Sequence, residues 1–415
     1  MPTPKLRFKE FDGDWSQVKL KDLVLSLDAG VSVNGEDVSV TEDDFSVLKT
    51  SCVSLGTFNP DERKKVTLEH EILRLKEPLL NNSLVMNRSN TPLLVASSAF
   101  IRNAPKKTYL SDKLWQFKVN QNANIQWIAF HLSNETTLIK LRDMATGTSN
   151  SMKNITKPDV LNFDLIAPSK SEQTKIASFL SAVDEKISQL TQKHELLSQY
   201  KQGMMQKLFS QQLRFKADDG SEFGEWESIS IKSAVSFIKD GTHGTHQDDP
   251  TSHLFLLSAK NLQNGHVVID EKDRRINKLE FDSIYKNYGL NTGDILLSVV
   301  GTIGRVAIFK EEYKNYAFQR SVAFMRFKSA KPEFIFQLFN AVDFQNELLV
   351  RQVVSAQPGI YLGDLSKIEI KLPCQEEQTK IANFLSAIDQ KIEVVAQQIE
   401  QAKQWKKGLL QQMFV

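Results

Sequence analysis

The sequence predicts an α+β protein in which two similar α/β domains are separated by a pair of long antiparallel coiled-coil helices. Three observations support this class: an internal repeat at an offset of 205 residues, two uninterrupted heptad patterns, and short apolar strands between them. The repeat makes the chain a tandem duplication of two similar halves.

The repeat is strongest in a block of sixteen residues. EQTKIASFLSAVDEKI at residues 172–187 returns as EQTKIANFLSAIDQKI at residues 377–392. A second repeated stretch opens each half, because LRFK occurs at residues 6–9 and again at 213–216. Trp15 and Trp226 follow these stretches at equivalent places, and we predict that they anchor the core rather than stack on bases.

Two helices are predicted from apolar residues that recur at alternating steps of three and four, which is the seam of a coiled coil. No proline interrupts either pattern, and at about 33 residues each seam would be roughly 50 Å long. The apolar seam positions are Ile176, Leu180, Val183, Ile187, Leu190, Leu197, Met204 and Leu208 in the first copy, and Ile381, Leu385, Ile388, Ile392, Val395, Ile399, Leu409 and Met413 in the second.

The seams can be covered in three ways: by each other, by a homo-oligomeric partner, or each by its own domain. An antiparallel intramolecular pair is favoured, since the second domain must return along the first helix before its own helix begins. Lys201 and Lys406 occupy equivalent polar seam positions. They either extend towards solvent or select the register of the pair.

Composition excludes several classes of protein. The 415 residues carry 52 Lys and Arg against 50 Asp and Glu, a net charge of +2, which argues against a strongly basic nucleic-acid binder. No apolar run is long enough to predict a membrane span, and the first residues lack the apolar stretch of a signal peptide. Two cysteines, Cys52 and Cys374, cannot form a disulfide framework, so we expect a cytoplasmic location.

Each insert between the helices nevertheless carries a local basic stretch, at residues 84–118 and 298–328. Lysine and arginine neutralise phosphates, while Arg, Asn and Gln can recognise base edges through paired hydrogen bonds. The alternative is an ordinary solvated surface. Recurrence in both halves weakens this alternative and leaves both interpretations open.

Catalytic motifs are not found. The sequence has no Pro-Pro dipeptide for the base-clamping loop of an adenine methyltransferase and no Gly-Lys-Ser/Thr loop for ATP. Asp61 and Glu62 have the residue types of a nuclease metal site, but as neighbours they would point to opposite faces of an extended chain and could not both bind one metal ion in that way. His243 and His246 lack a partnering cysteine pair for zinc. We therefore predict no catalytic residue, no metal site and a targeting role.

Taken together, these features resemble the specificity (S) subunit of type I restriction–modification systems. The resemblance is carried by the paired EQTKIA-x-FLSA-x-D-x-KI blocks, each preceded by a short strand and a proline (FDLIAPSKSEQ and IEIKLPCQEEQ). DILLSVVGTIGRVAIF, KDGTHGTH at residues 239–246 and RSNTPLLVASSAFI at residues 88–101 resemble segments of the family's recognition domains. The resemblance covers essentially the whole chain.

The resemblance implies target-recognition domains at residues 1–168 and 213–373, and spacer helices at residues 169–212 and 374–415. It also implies that the two halves are related by pseudo-twofold symmetry. Each domain would recognise half of a bipartite, asymmetric double-stranded DNA site, with the helices setting the half-site spacing. The chain would have no cofactor of its own. Two copies of an adenine-N6 methyltransferase subunit and a restriction/translocase subunit would bring S-adenosylmethionine, ATP and magnesium. No membrane is implied.

Residue chemistry and placement near glycine-rich turns give the candidate DNA contacts. In the first domain they are Arg88, Asn90, Lys106, Lys107, Ser149, Asn150 and Lys153, and in the second Lys239, Thr242, His243, His246, Lys260, Arg305, Gln319, Arg320 and Tyr361. Two other hypotheses remain open at this point. The chain could be a coiled-coil adaptor whose inserts bind proteins, or a fused modification–restriction enzyme.

Overall fold

The computed structural model describes residues 3–149, 151–353 and 358–414, without the side chains of residues 148 and 149. The chain divides into two compact units, Met1–Leu190 with Gln398–Val415, and Thr191–Gln397. Each unit thus contains one globular insert and part of both long helices.

In its described residues, the first unit combines short strands with four short α-helices and two 3-10 turns, at Leu20–Asp22 and Thr50–Cys52, ahead of the first long helix. Its elements are β1 (Ser16–Lys19), β2 (Val24–Ala29), β3 (Ser46–Leu48), β4 (Val53–Ser54), β5 (Thr57–Phe58), β6 (Arg63–Lys65), α1 (Glu69–Ile72), β7 (Ser83–Asn87), β8 (Ser89–Asn90), β9 (Ser98–Ile101), β10 (Thr108–Tyr109), β11 (Leu114–Val119), α2 (Ile125–Ser133), α3 (Glu135–Asp143), β12 (Thr146–Ser149), β13 (Met152–Asn154), α4 (Lys157–Leu161), β14 (Asp164–Ala167) and α5 (Lys170–Phe209).

A four-stranded antiparallel sheet in the order β2-β11-β7-β9 forms the centre of the first unit. Beside it, β3 pairs in parallel with β10 and antiparallel with β6. The unit also contains a smaller sheet in the order β12-β13-β8 and the antiparallel pairs β1–β14 and β4–β5. Apolar faces of the central sheet, α2 and α5 share one core, in which Trp115, Trp127 and Leu180 are buried.

The second unit repeats this plan. Its elements are β15 (Glu227–Ser230), α6 (Ile231–Ala234), β16 (Val235–Asp240), β17 (Phe255–Leu257), β18 (Leu262–Gln263), β19 (His266–Val267), α7 (Lys278–Asn287), β20 (Ile295–Ser298), β21 (Val306–Ile308), β22 (Tyr316–Phe318), β23 (Val322–Phe327), α8 (Pro332–Phe339), α9 (Val342–Val350), α10 (Leu362–Leu365), β24 (Glu369–Leu372) and α11 (Gln375–Met413).

The central sheet of the second unit has the order β16-β23-β20-β21, with all neighbours antiparallel. β17 pairs in parallel with β22, and β15 pairs antiparallel with β24. Strand order and direction therefore match those of the first unit, although the sequences of the two inserts barely resemble each other. The predicted pair of similar α/β domains is confirmed.

The long helices α5 and α11 contain 40 and 39 residues. They lie within the segments 169–212 and 374–415 that were predicted as spacers, and each is slightly shorter than its segment. Every predicted apolar seam position is buried or half-buried, as a packed helical seam requires. In the first unit, Leu180 near the start of α5 shares a core with Leu409 and Met413 at the end of α11. In the second, Leu208 at the end of α5 shares a core with Ile381 and Leu385 at the start of α11. The helices thus pack antiparallel within each unit.

A buried glutamate fixes each domain to its helix. Glu172 of α5 is 2% exposed and accepts two hydrogen bonds from Arg7, at 2.8 and 2.9 Å, and one from Trp15 Nε1 at 3.2 Å. In the second unit, the side chain of Glu377 accepts hydrogen bonds from Arg214 (3.1 and 2.7 Å) and from Trp226 Nε1 (3.1 Å). Both tryptophans are buried, as predicted for core anchors.

Two negative findings apply to the described part of the chain. None of its helices is long and apolar enough to cross a membrane. No group of three or more His, Cys, Asp or Glu side chains is placed there to hold a metal ion.

Candidate nucleic-acid interface

In the second unit, one end of the central sheet gathers segments that are far apart in the sequence. Asp240 at the end of β16 is paired with Ala323, and Ser298 at the end of β20 is paired with Val322, so both strands end where β23 begins. Leu297 is paired with Val306, which brings the start of β21 to the same end. We call this end, with the loops 241–246, 258–261, 299–305 and 319–321, the second recognition edge.

Gly241 allows two of these loops to meet. A Cβ at this position would overlap the carbonyl oxygen of Phe318, so only glycine fits. The next residue, Thr242, forms a parallel bridge with Gln319, and its carbonyl accepts a hydrogen bond of 3.0 Å from the amide of Arg320. Three predicted contact residues are thereby brought together.

His246 is held firmly inside the 241–246 loop. Its Nε2 lies 2.7 Å from Thr242 Oγ1, and its Nδ1 lies 2.6 Å from Glu280 Oε2 on α7. The imidazole is 10% exposed, and its hydrogen bond to Glu280 holds the pKa of that carboxyl below its usual range. His246 therefore lies between Glu280 and Thr242 and is held by both, while His243 is exposed and bonds Asp240 at 2.8 Å.

Three other predicted contacts of this unit are basic side chains that already form hydrogen bonds or ion pairs within the protein. The guanidinium of Arg305 donates to the carbonyl of Lys260 at 3.2 Å and is half-buried. Lys260 bonds the buried carboxylate of Asp273 at 2.6 Å, which raises the pKa of the lysine. Lys239 donates to the carbonyl of Asn287 at 2.6 Å. These contacts orient the side chains, and Lys260 and Lys239 remain exposed residues.

Arg320 and Tyr361 are the most open of the predicted contacts. Arg320 is exposed, and among the described residues its guanidinium has no hydrogen-bond or ion-pair partner. Tyr361 is 68% exposed and caps α10. Its segment joins the edge because Ile360 donates from its amide to the carbonyl of Val299 at 2.9 Å. Gln319 is half-buried between Thr242 and Arg320.

The first unit has an equivalent edge. Asn87 at the end of β7 pairs with Leu114 at the start of β11. A Cβ at Gly30, directly after β2, would overlap the carbonyl oxygen of Leu110, as one at Gly241 would overlap that of Phe318. Arg88 follows β7, and its amide donates to the carbonyl of Lys113 at 3.0 Å. We call this end of the sheet, with loops 49–52, 88–97 and 111–113, the first recognition edge.

Two more predicted contacts join the first recognition edge through the small sheet. Lys153 on β13 pairs with Asn90 on β8, and Asn90 Nδ2 donates to the carbonyl of Thr50 at 3.4 Å. Lys153 Nζ donates to the carbonyl of Gly147 at 3.3 Å. Ser149 belongs to β12, but its side chain lies outside the described residues, and so does Asn150.

Lys106 and Lys107 are placed differently from the other candidates. Both precede β10, whereas the first recognition edge lies beyond its end. Lys106 pairs with Glu42 at 2.9 Å, and Lys107 donates to the carbonyl of Asp43 at 2.9 Å while lying 5.4 Å from the ring centroid of Phe45. The acidic loop 42–44 thus neutralises part of this basic stretch. Among the described residues, no contact links Lys106 or Lys107 to Arg88.

Two residues were missed by sequence reasoning. Glu280 orients His246 but lies 34 residues further along the chain, and nothing in the local sequence connects the two. Lys113 is exposed at the first recognition edge beside Arg88. Its place in the basic stretch at residues 84–118 was the signal that could have identified it.

Comparisons with known proteins agree with this architecture. Residues 13–199 and 229–404 each match the sequence model of the type I restriction modification DNA specificity domain. The MjaVIII specificity subunit of Methanocaldococcus jannaschii is 27% identical over 349 residues, covering 80% of each chain. The putative MjaX specificity subunit of the same organism is 24% identical and covers 98% of this chain and 94% of its own.

Solved structures share the fold. The type I restriction–modification S subunit from M. genitalium superimposes with a TM-score of 0.61 at 15% identity, covering 100% of this chain and 99% of that one. A chain described under complex assembly and conformational transition of the type I R-M system gives a TM-score of 0.52 at 15% identity, with coverage of 96% and 97%.

The duplicated domains on paired helices define a two-domain binding protein of the specificity-subunit class. The chain belongs to the type I restriction–modification DNA specificity family, since the two matched regions cover most of its length. It is accordingly a non-catalytic targeting subunit.

Proposed function

We propose that the two recognition edges bind the two halves of a bipartite, asymmetric DNA site. The observation that carries the proposal is the repetition of one sheet edge in both units, each bearing arginine, lysine and amide side chains on converging loops. Because the loops differ in sequence, the two half-sites differ. Phosphate contacts outnumber base contacts in such interfaces, so most of the lysines position the duplex.

We further propose that the chain directs an adenine-N6 methyltransferase, present in two copies, and an ATP-dependent restriction subunit to this site. S-adenosylmethionine, ATP and magnesium belong to those subunits. The support is family membership and the specificity-subunit names of its relatives. The near-neutral net charge of +2 is compatible with this role, since partner subunits supply part of the clamp around the duplex.

The experiment is to map methylated adenines and a footprint on DNA with this chain and its methyltransferase partner. A protected, methylated sequence in two parts separated by an unspecified gap is expected. Protection without a bipartite sequence, or no protection, would contradict the proposal. Binding to proteins alone would instead favour an adaptor, and S-adenosylmethionine binding by the isolated chain would favour an enzyme.

We also propose that α5 and α11 set the half-site spacing. At 40 and 39 residues they are each about 60 Å long, and each belongs partly to both units. Inserting one heptad at equivalent positions of both helices should lengthen the gap and leave both half-site sequences unchanged. Changed half-site sequences would show that the helices take part in base recognition.

A further inference from the structure

We propose that Val300, Gly359 and Val353 form an apolar notch on the second recognition edge that binds the 5-methyl group of a thymine in the major groove. We call these three residues the valine notch. The inference rests on the proposed DNA-binding function and deepens it, because it assigns one base type to residues that were not among the predicted contacts. It is carried by the pairing of three segments, by their burial and by a contrast with the first unit.

The pairing of three short segments places the two valines on either side of a glycine. Gly359 forms antiparallel bridges with both Val300 and Val353. The amide of Val353 donates to the carbonyl of Gly359 at 2.9 Å, and the amide of Ile360 donates to the carbonyl of Val299 at 2.9 Å. Residues directly opposite each other in such a ladder place their side chains on the same face. The valines therefore flank the position at which the glycine has no side chain.

The face that carries the valine notch is the outer face of this ladder. Val299 and Ile360 alternate with the notch residues and are buried in the core of the second unit. Successive side chains of an extended segment point to opposite faces, so Val300 and Gly359 lie on the other face. Val300 still contacts the margin of the core and is half-buried, as is Gly359, whereas Val353 is 41% exposed. An apolar surface is thus open to a ligand among the polar loops of the edge.

The space above Gly359 has the size of one methyl group. The fold does not require this glycine, because its φ lies outside the left-handed region and a Cβ would meet Val299 O and Val300 Cγ2 at an ordinary 3.6 Å. A glycine within a paired segment often marks a close approach by a ligand. Two strand spacings separate the valine backbones by roughly 9.5 Å. A methyl carbon in contact with one carbon on each side spans about 7.5 Å, so it fits between them.

The equivalent ladder of the first unit is polar. There Asn154 occupies the position of Gly359 and pairs with Ser89 and with Thr146. The correspondence is fixed by the isoleucine that follows each central residue, since its amide donates to the carbonyl of the residue just after strand β7 or β20. Polar side chains suit the hydrogen-bonding edges of bases, whereas the 5-methyl group of thymine is the apolar feature that bases present in the major groove. The second unit is therefore the one suited to an A·T pair at this position.

The test uses the complex of this chain with its methyltransferase partner and the mapped site, in which each thymine is replaced in turn by deoxyuridine. This exchange removes one methyl group and keeps the base pairing. At one thymine of one half-site, the loss of a buried methyl should weaken binding by the wild-type complex about fourfold. Affinity that is unchanged by deoxyuridine at every thymine would overturn the proposal.

Variants of the valine notch show whether it makes this methyl contact. Val353→Ser removes both methyl groups from one wall, and Gly359→Ala fills the space between the walls. Each variant should bind the thymine and deoxyuridine duplexes with equal affinity at that position and should behave as the wild type at the other thymines. Val342→Ser is the matched control, because it makes the same exchange at an exposed valine at the start of α9. It should keep the fourfold difference.

The possible failures are distinguishable. If the wild-type complex binds no bipartite site, the proposed function fails. If it binds such a site but the effect of deoxyuridine is the same in the wild type, Val353→Ser and Gly359→Ala, another part of the protein contacts the methyl group and the valine notch fails alone. If Val353→Ser lowers the affinity for the methyltransferase partner without DNA and deoxyuridine has no effect, the notch binds protein, and the thymine assignment is overturned.

Discussion

Lys201 of α5 and Asp389 of α11 form an ion pair with 2.6 Å between Nζ and Oδ1, and its counterpart in the first unit joins Lys406 to Asp184 at the same distance. Both lysines are seam positions, and they are 16% and 27% exposed in their side chains. Each therefore reaches a carboxylate of the other helix rather than open solvent. These pairs support the interpretation that the two polar seam residues select the register of the helices.

The register pair of the first unit is tested by Asp184→Asn. The unpaired, half-buried ammonium of Lys406 should lower the free energy of unfolding by about 1 kcal/mol, near the upper end for partly exposed pairs. Glu185→Gln, which breaks the more exposed pair with Arg102, is the control and should cost less. Equal losses in chemical denaturation would remove the argument for a special role of Asp184.

Arg7→Met tests the anchor of the first domain. It leaves the carboxylate of Glu172 buried without its ionic partner, so we expect a loss of about 3 kcal/mol in the free energy of unfolding. Glu172→Gln should cost less, since an amide oxygen can still accept from Trp15 and carries no charge. Lys175→Ala, which breaks an exposed pair with Glu10, should be nearly neutral in the same denaturation experiment. A similar loss for Lys175→Ala and Arg7→Met would contradict the anchor.

His131 on α2 should make the first unit sensitive to acid. Its ring is buried against Trp127 and Phe414, and burial lowers the pKa of the imidazole to about 4, below its ordinary value of about 6.5. Between these values the unfolded chain binds the proton and the folded chain does not. The stabilisation from the neutral, buried imidazole is therefore fully present above about pH 6.5. As the pH falls towards 4, the free energy of unfolding decreases by up to about 3 kcal/mol.

Chemical denaturation of wild type and His131→Gln across this range measures the effect. The variant lacks the titrating ring, so its stability should fall less steeply between pH 6.5 and 4, although its value at pH 7.5 is lower. Parallel slopes for both proteins would mean that His131 does not contribute to the acid sensitivity.

Arg320→Ala tests the most open cation of the second recognition edge. In the complex with the methyltransferase partner it should weaken binding to the mapped site by about 1–3 kcal/mol if the guanidinium pairs with a guanine. A loss that is uniform across sequences, with a salt slope reduced by about one, would assign Arg320 to a phosphate instead. Lys278→Ala, on the exposed face of α7, is the control. Unchanged affinity and salt slope for Arg320→Ala would remove it from the interface.

Much of the frame was predictable from the sequence because its signals are local and repeated. The block at residues 172–187 and its copy at 377–392 establish the duplication, and the three-and-four spacing that contains Ile176 and Ile381 establishes the helices. These patterns depend on the period of one helix and need no knowledge of distant contacts. The same signals carried the family resemblance.

The candidate interface was only partly predictable. The side chains of Thr242, His246, Gln319 and Arg320 had the right chemistry, but their convergence depends on strands β16, β20 and β23 ending at one edge. The neutralisation of Lys106 by Glu42 joins residues 64 apart, and composition had counted that lysine as free basic charge.

The sequence by itself determined that the chain is a duplication on two heptad helices and identified its family. Tertiary structure alone decided which charges face outward and which are consumed within the protein, as the contrast between Arg320 and Lys106 shows. It also decided that Glu280 controls His246 from a different element. The physical reason is that helix periodicity is a property of neighbouring residues, whereas hydrogen bonds and ion pairs act over a few ångströms between residues that only folding brings together.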